Sequence, residues 1–435
     1  MSKQNVHFAA LGYEPLRMKP VHLANGFFLA LKGHFSDLEL LNKTAVVKAN
    51  KGLLGDYVHE QLLDLLKQRD RLDPEFNVSQ LKSLRVHING VVNNDEAVYP
   101  AFRPYSPAGN DYTLASDRLL TSERRTDGFA GHLLHQVLQR TPTGRQVLEF
   151  ADTSISTRQT PIERLAEPLL DEESSTAPWD NPYPEVFGEL TDERLDDIAN
   201  LMQSQTSALG LLCANLRRSA SHQTKLRDLV IGLCAWLFLY IQKSGPASDP
   251  TPLLVMDFLG GENRRLRTHS RNSFTRQRER FFGSYLEKQS AGQLDCDESD
   301  FTEVCKTKFK FLEQHFSDLA VRIGFAQPRA AQARRKHFEL QPDTARILVM
   351  SVIPPSEIRE LPDVALSLRT TWAASFGGCD DDQHLLQTLG YTGLDQDADL
   401  EPNTDAFIDL LKRLSLASEP SDGLVLCAAN PEDLL

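Results

Sequence analysis

The chain has 435 residues, 41% hydrophobic and 25% charged, with a formal net charge of −13 and a pI near 5.4. That length allows two or three ordinary domains, and the composition is that of a soluble globular chain, not a disordered one. The acidic balance excludes a general coat of positive charge, and with it indiscriminate nucleic-acid binding, but leaves room for a local basic stripe.

The N-terminus, MSKQNVHFAALGYEPLRMKP, has no signal-peptide core. The six cysteines, Cys213, Cys234, Cys296, Cys305, Cys379 and Cys427, show no CxxC spacing. Both features predict a cytoplasmic, reduced protein. Residues 1–150 read as a mixed α/β domain. Helical periodicity covers Leu53–Gln68 and Gly128–Arg140, Lys82–Val92 alternates as a strand or hairpin, and Tyr99–Tyr112 is loop. His132 and His135 share a helix face, a spacing that can ligate a metal. No third ligand accompanies them, so they are read as partly exposed helical histidines, and no metal or cofactor is expected. Residues 151–185, with four prolines in EPLLDEESSTAPWDNPYPE, form a linker or an ordered loop clamped by Trp179 and Tyr183.

Residues 186–298 read as a helical middle domain. Its first helix follows Thr191, a capping residue with acids in the next turn. The apolar run Leu229–Ile241 is too short to span a bilayer and predicts a buried core helix. Leu253–Phe258 is a short apolar strand candidate. It leads into an arginine-rich helix running to about Leu286, with Arg264, Arg265, Arg267, Arg271, Arg276, Arg278 and Arg280 against one acid, Glu279. Arg264, Arg267 and Arg271 share one face, and Arg276 and Arg280 another.

Residues 299–375 and 376–435 each read as a helix followed by a hairpin. In the first, a helix from Ser299 ends at Gly324, and Gly324–Pro342 forms a wing carrying Arg329, Arg334, Arg335 and Lys336. Asp343–Ile353 fits a helix or a buried strand, with helix favoured by the prolines and helix that follow it. In the second, a helix capped by Asn403 or Thr404 precedes a turn at Ser421-Asp422-Gly423 and a strand. The fold class predicted is mainly α with small β elements (α+β), multi-domain, with tandem winged-helix-like modules in the C-terminal half.

The chain has no GxxxxGK[ST], GxGxxG or GxSxG motif and no paired histidines of a zincin. Asp295–Cys305 begins like a calcium loop but lacks its glycine and its bidentate acid. Guanidinium groups stay charged and pair bidentately with phosphate, so the arginine segment and the wing are the candidate nucleic-acid contacts. Six to eight such contacts would weaken binding roughly a thousandfold or more between low and physiological salt. Residues 380–409 carry nine acids and no Lys or Arg. That segment, with Asp380, Asp381, Asp382, Asp395, Asp397 and Asp399, is expected to dock a partner or to cover a basic patch.

LLVMDFLGGENRRLRTHSRNSFTR and PNTDAFIDLLKRLSLASEPSDGLVLCA resemble accessory proteins of bacterial multi-gene DNA-modification and phage-defence systems. The resemblance covers the C-terminal half. It implies a non-catalytic subunit working beside a larger ATPase or nuclease subunit, and carries over no catalytic residue. The reading is a DNA-binding adaptor with no membrane contact. The alternatives are a pure protein scaffold, whose arginines pair with protein acids, and a metal-dependent nuclease using Asp257, although an Asp there more often caps the following turn.

Overall fold

The computed structural model describes residues 10–13, 20–31, 35–36, 77, 79, 129–154, 170–171, 190–219, 221–245, 252–290, 312–328, 335–421 and 423–434. The elements expected at 53–68, 82–92 and 99–112, the calcium-like loop, most of 151–185, and Arg329 and Arg334 lie outside these residues. In chain order come α1 (Pro20–Leu31), β1 (Phe35–Ser36), α2 (Phe129–Gln139), α3 (Pro142–Ser154), β2 (Leu170–Asp171), α4 (Asp192–Leu201), α5 (Gln203–Ser219) and α6 (His222–Lys243). Then follow β3 (Leu254–Val255), α7 (Arg264–Ser290), α8 (312–322), β4 (Ala326–Gln327), β5 (His337–Phe338), α9 (Pro342–Met350) and β6 (Ile358–Glu360). The chain ends with α10 (Leu361–Trp372), β7 (Ala374–Ser375), α11 (Asp382–Thr388), a π-helical turn (Gln396–Leu400), α12 (Glu401–Arg413), β8 (Ala417–Ser421), β9 (Leu424–Ala428) and a 3-10 turn (Pro431–Leu434). The protein is mostly helical with a few small strands. Among the described residues no helix is long and apolar enough to cross a membrane.

Helix α6 is the centre of the core. Leu229–Ile241 is buried on every side, as expected for a helix that is apolar all round. Its two large polar aromatics find partners: Trp236 donates to the Thr206 hydroxyl at 3.1 Å, and Tyr240 donates to the Leu11 carbonyl at 3.0 Å. Around it Phe238 packs against Phe316 and Phe325, with ring centroids 5.2 and 5.3 Å away. One apolar core runs from Ala10 to Ala429, so the N-terminal, middle and C-terminal parts share it.

Two of the sheets place the site. Strands β3 and β7 pair in parallel, Leu254 with Ala374 and Val255 with Ser375. Met256 bridges Phe338, bringing the β4–β5 hairpin to the other side of β3. The hairpin after Gly324 was expected; Gly324 ends α8 with φ +80°, a conformation that favours glycine. A three-stranded sheet is antiparallel in the order β6–β9–β8. Pro420 lies in β8, an edge strand, where a missing N–H is tolerated. This sheet takes β6 from before residue 376 and β8 and β9 from after it, so its pairing crosses the 375/376 boundary drawn from sequence.

Local readings hold at several helix starts. Thr191 caps α4 by accepting from the Arg194 N–H, and Asp343–Met350 is helix. The segment read as one helix after Thr191 instead breaks at Met202. Met202 is fully buried and leaves helical geometry at φ −105°, ψ 15°, so packing and not a breaker residue ends α4. Helix α12 begins at Glu401 with Leu400 at its cap position, and Asn403 is inside the helix.

Candidate nucleic-acid interface on the arginine-rich helix

Strand β3 delivers the chain to Asp257, and a turn through Gly260 and Gly261 redirects it into α7. Both glycines have positive φ, +63° and +94°, which side-chain-bearing residues rarely adopt. Asn263 caps the helix by accepting from the Leu266 N–H at 3.0 Å, while its own amide donates to Asp399 at 2.7 Å. Leu266, Ser270, Ser273, Phe274, Gln277, Phe281 and Tyr285 form the buried line of α7. Two serines tie it to the strands. Ser270 exchanges hydrogen bonds with the Phe338 backbone, and Ser273 does the same with Leu253 and Val255.

Four of the seven arginines are used inside the molecule. Arg267 pairs with the fully buried Asp257, contacts the His337 ring and lies 3.5 Å from Glu339. Arg265 donates to Asp399 and to the Gly393 carbonyl, both at 2.9 Å. Arg276 donates to the Leu389 carbonyl at 2.6 Å. Arg280 is buried and donates to the Gln242 carbonyl at 3.0 Å. These four are candidate phosphate contacts from sequence, and their guanidinium groups bind carbonyls and acids of the same chain. Asp257 spends its other oxygen on the Leu259 N–H at 3.0 Å, capping the turn. Both oxygens of the carboxylate suspected of nuclease chemistry are therefore engaged.

Arg264, Arg271 and Arg278 remain. Arg264 is exposed and the other two are half-buried. Among the described residues their guanidinium groups meet no acid and no hydrogen-bond acceptor, and the buried Nε of Arg271 and of Arg278 has no partner. They stand seven residues apart, a spacing that returns to the same side of a helix within about 20° per step. At about 1.5 Å per residue the three charges are spread over about 21 Å. Thr268, Asn272 and Thr275 are exposed beside them, with Glu279 the nearest acid in sequence on that face. The face proposed from sequence, Arg264 with Arg267 and Arg271, is therefore replaced by Arg264, Arg271 and Arg278.

The wing contributes less than its sequence suggests. Arg335 is exposed, whereas Lys336 is buried and donates to the Pro328 carbonyl at 3.0 Å. Burial lowers the Lys336 pKa. The acids divide similarly. Asp382 is buried, accepts from the Gly377 and Cys379 N–H groups and pairs with Arg369. The same arginine holds the Asp381 carboxyl below its usual range. Asp395 caps the π-helical turn through the Ala398 N–H, and Asp399 pairs with Arg265. Asp380 and Asp397 are exposed, with no ion pair among the described residues.

Cys379, Asp381 and Asp382 come close enough to share a metal ion. The Arg369 guanidinium is bound to both carboxylates, and burial pushes the Cys379 thiol up to about 12, so this set suits a guanidinium and not a metal ion. His135 is buried against Phe27 and burial lowers its pKa to about 4, which corrects its reading as partly exposed; His132 is half-buried near Phe129. Cys213, Cys234, Cys379 and Cys427 are free, buried thiols.

The sequence reading takes Asn403 as a possible helix cap and misses what it bonds. Its amide donates to the Met256 and Phe376 carbonyls, and its oxygen accepts from the Phe258 N–H, joining α12 to the ends of β3 and β7. Comparison with family models, with curated proteins and with solved structures finds no match for this chain.

Proposed function

We propose that this chain is a non-catalytic DNA-contacting adaptor of a bacterial DNA-processing or defence complex, with Arg264, Arg271 and Arg278 as its phosphate contacts. The observation that carries this is the division of α7. A helix that needed only internal ion pairs has no use for three further guanidinium groups in register on its outer face. Arg335, exposed beside β5, adds a fourth charge. The engaged state of Asp257 favours this reading over the nuclease alternative.

The partner side is the acidic C-terminal region, with a larger ATPase or nuclease subunit as the proposed partner. Strand β6, helices α10 and α12 (with β7, α11 and the π-helical turn between them) and the β8–β9 hairpin, in strand order β6–β9–β8, support a winged-helix-like module there. In a DNA reader, α12 would take the recognition position. Its exposed face carries Asp405 and Asp409, which repel phosphate, so this module is assigned to protein docking with Asp380 and Asp397 available.

The test is a fluorescence-anisotropy titration with DNA at 50 mM salt, comparing the wild type with the triple variant Arg264→Gln, Arg271→Gln, Arg278→Gln. The expected outcome is a loss of affinity of about tenfold or more with an unchanged melting temperature. Equal affinity of the two proteins, or no binding by the wild type, contradicts the proposal and points to the scaffold alternative.

A further inference from the structure

Resting on that reading, we infer that the ligand of α7 is double-stranded DNA, lying along the helix and held by its phosphates, and not a single strand. The first ground is the setting of the helix. One edge of α7 is closed by β5, through Ser270 to Phe338 and Arg267 to His337. The other is closed by residues 389–399, through Arg276 to Leu389 and Arg265 to Gly393 and Asp399. A B-DNA major groove about 12 Å wide admits a helix of about 10–12 Å only when that helix stands free on both sides. An inlaid helix meets the outside of the duplex, where the phosphates are.

The second ground is what the outer face lacks. Proteins that hold single strands without sequence preference stack bases on exposed aromatic rings. All four aromatic residues of α7 turn inward: Phe274, Phe281 and Tyr285 are buried, and Phe282 packs on the core. The face offers guanidinium, hydroxyl and amide groups, which suit phosphate oxygens. The third ground is rigidity. Three guanidinium groups set along about 21 Å of one helix can meet a stiff duplex without ordering it, whereas a flexible strand must be ordered to meet them.

The experiment titrates the full chain at 50 mM salt with two 20-base-pair duplexes of unrelated sequence and with the separate strands. The expected result is two duplexes bound within about threefold of each other and single strands bound about tenfold more weakly or worse, since the face offers them no stacking platform. Single strands bound as tightly as the duplexes would overturn this inference while leaving DNA contact standing. Duplexes differing by about tenfold or more would overturn backbone-only recognition, since each misread base costs about 1–3 kcal/mol. Absence of binding to every probe would remove the reading on which the inference rests.

Discussion

Arg267 and Asp257 show how strongly one residue's role depends on its surroundings. Asp257 is fully buried and Arg267 nearly so, and the pair closes the turn between β3 and α7. Removing one member of such a pair strands a charge in the interior, so Arg267→Ala is expected to cost about 3–5 kcal/mol, measured by urea unfolding. Arg271→Ala, about 6 Å further along the helix but without an acid partner, is expected to cost less than about 0.5 kcal/mol. His135 adds a pH dependence. Burial depresses its folded-state pKa to about 4, so the unfolded chain takes up this proton first as pH falls below about 6.5. Stability from this group is intact above pH 6.5 and is lost progressively toward pH 4, by up to about 3 kcal/mol. Between pH 7 and pH 4.5 the unfolding midpoint of the wild type should fall by more than that of His135→Leu; equal falls would contradict this assignment. The arginine-rich composition was legible in the sequence, but the division of those arginines was not. Spacing groups Arg267 with Arg264 and Arg271, and only the positions of Asp257 and His337, ten and seventy residues away, turn it inward.

At the scale of elements, α7 is held by contacts remote in sequence. Leu266 sits in a small apolar cluster with Leu386, Tyr391, Leu394 and Leu400, so the acidic C-terminal segment forms part of the helix's bed. The expectation that this segment covers a basic patch is met at one point, Arg265 with Asp399. Asn403 clamps the neighbouring elements. Asn403→Ala would leave two carbonyls and one N–H without their partner, and is expected to cost about 2–4 kcal/mol in thermal or urea unfolding. Gly377 lies beside this clamp at φ +100°, and a Cβ built on it would come within 2.7 Å of the Leu400 Cβ. Gly377→Ala is therefore expected to destabilise by more than about 1 kcal/mol, whereas Gly390→Ala, also at positive φ but with open space around it, pays only for backbone strain. Helix and hairpin existence was legible here from periodicity, caps and turn residues. The role of Asn403 was not, because a polar residue near a helix start reads as a cap until the strands that it bonds are known.

For the whole molecule, net charge and local charge point in opposite directions. A chain at −13 repels a polyanion at long range, so on the proposed reading the row of arginines acts at contact distance. The single core from Ala10 to Ala429 fixes that row relative to the acidic C-terminal region. Composition made the mainly helical class legible. It did not reveal that one core and a sheet spanning both sides of residue 376 would join the C-terminal segments, since strand pairing between β6 and β9 depends on contacts across about seventy residues. The central claim is that three or four arginines, not seven or more, face DNA. The most direct measurement is the slope of log affinity against log salt concentration for the wild type and a duplex, from 50 to 200 mM. Three or four phosphate contacts predict a slope between about −2.7 and −3.6 and a loss of affinity of about 40- to 150-fold across that range. A slope of about −6 or steeper would mean that the arginines assigned to internal pairs also reach DNA, and would contradict the account.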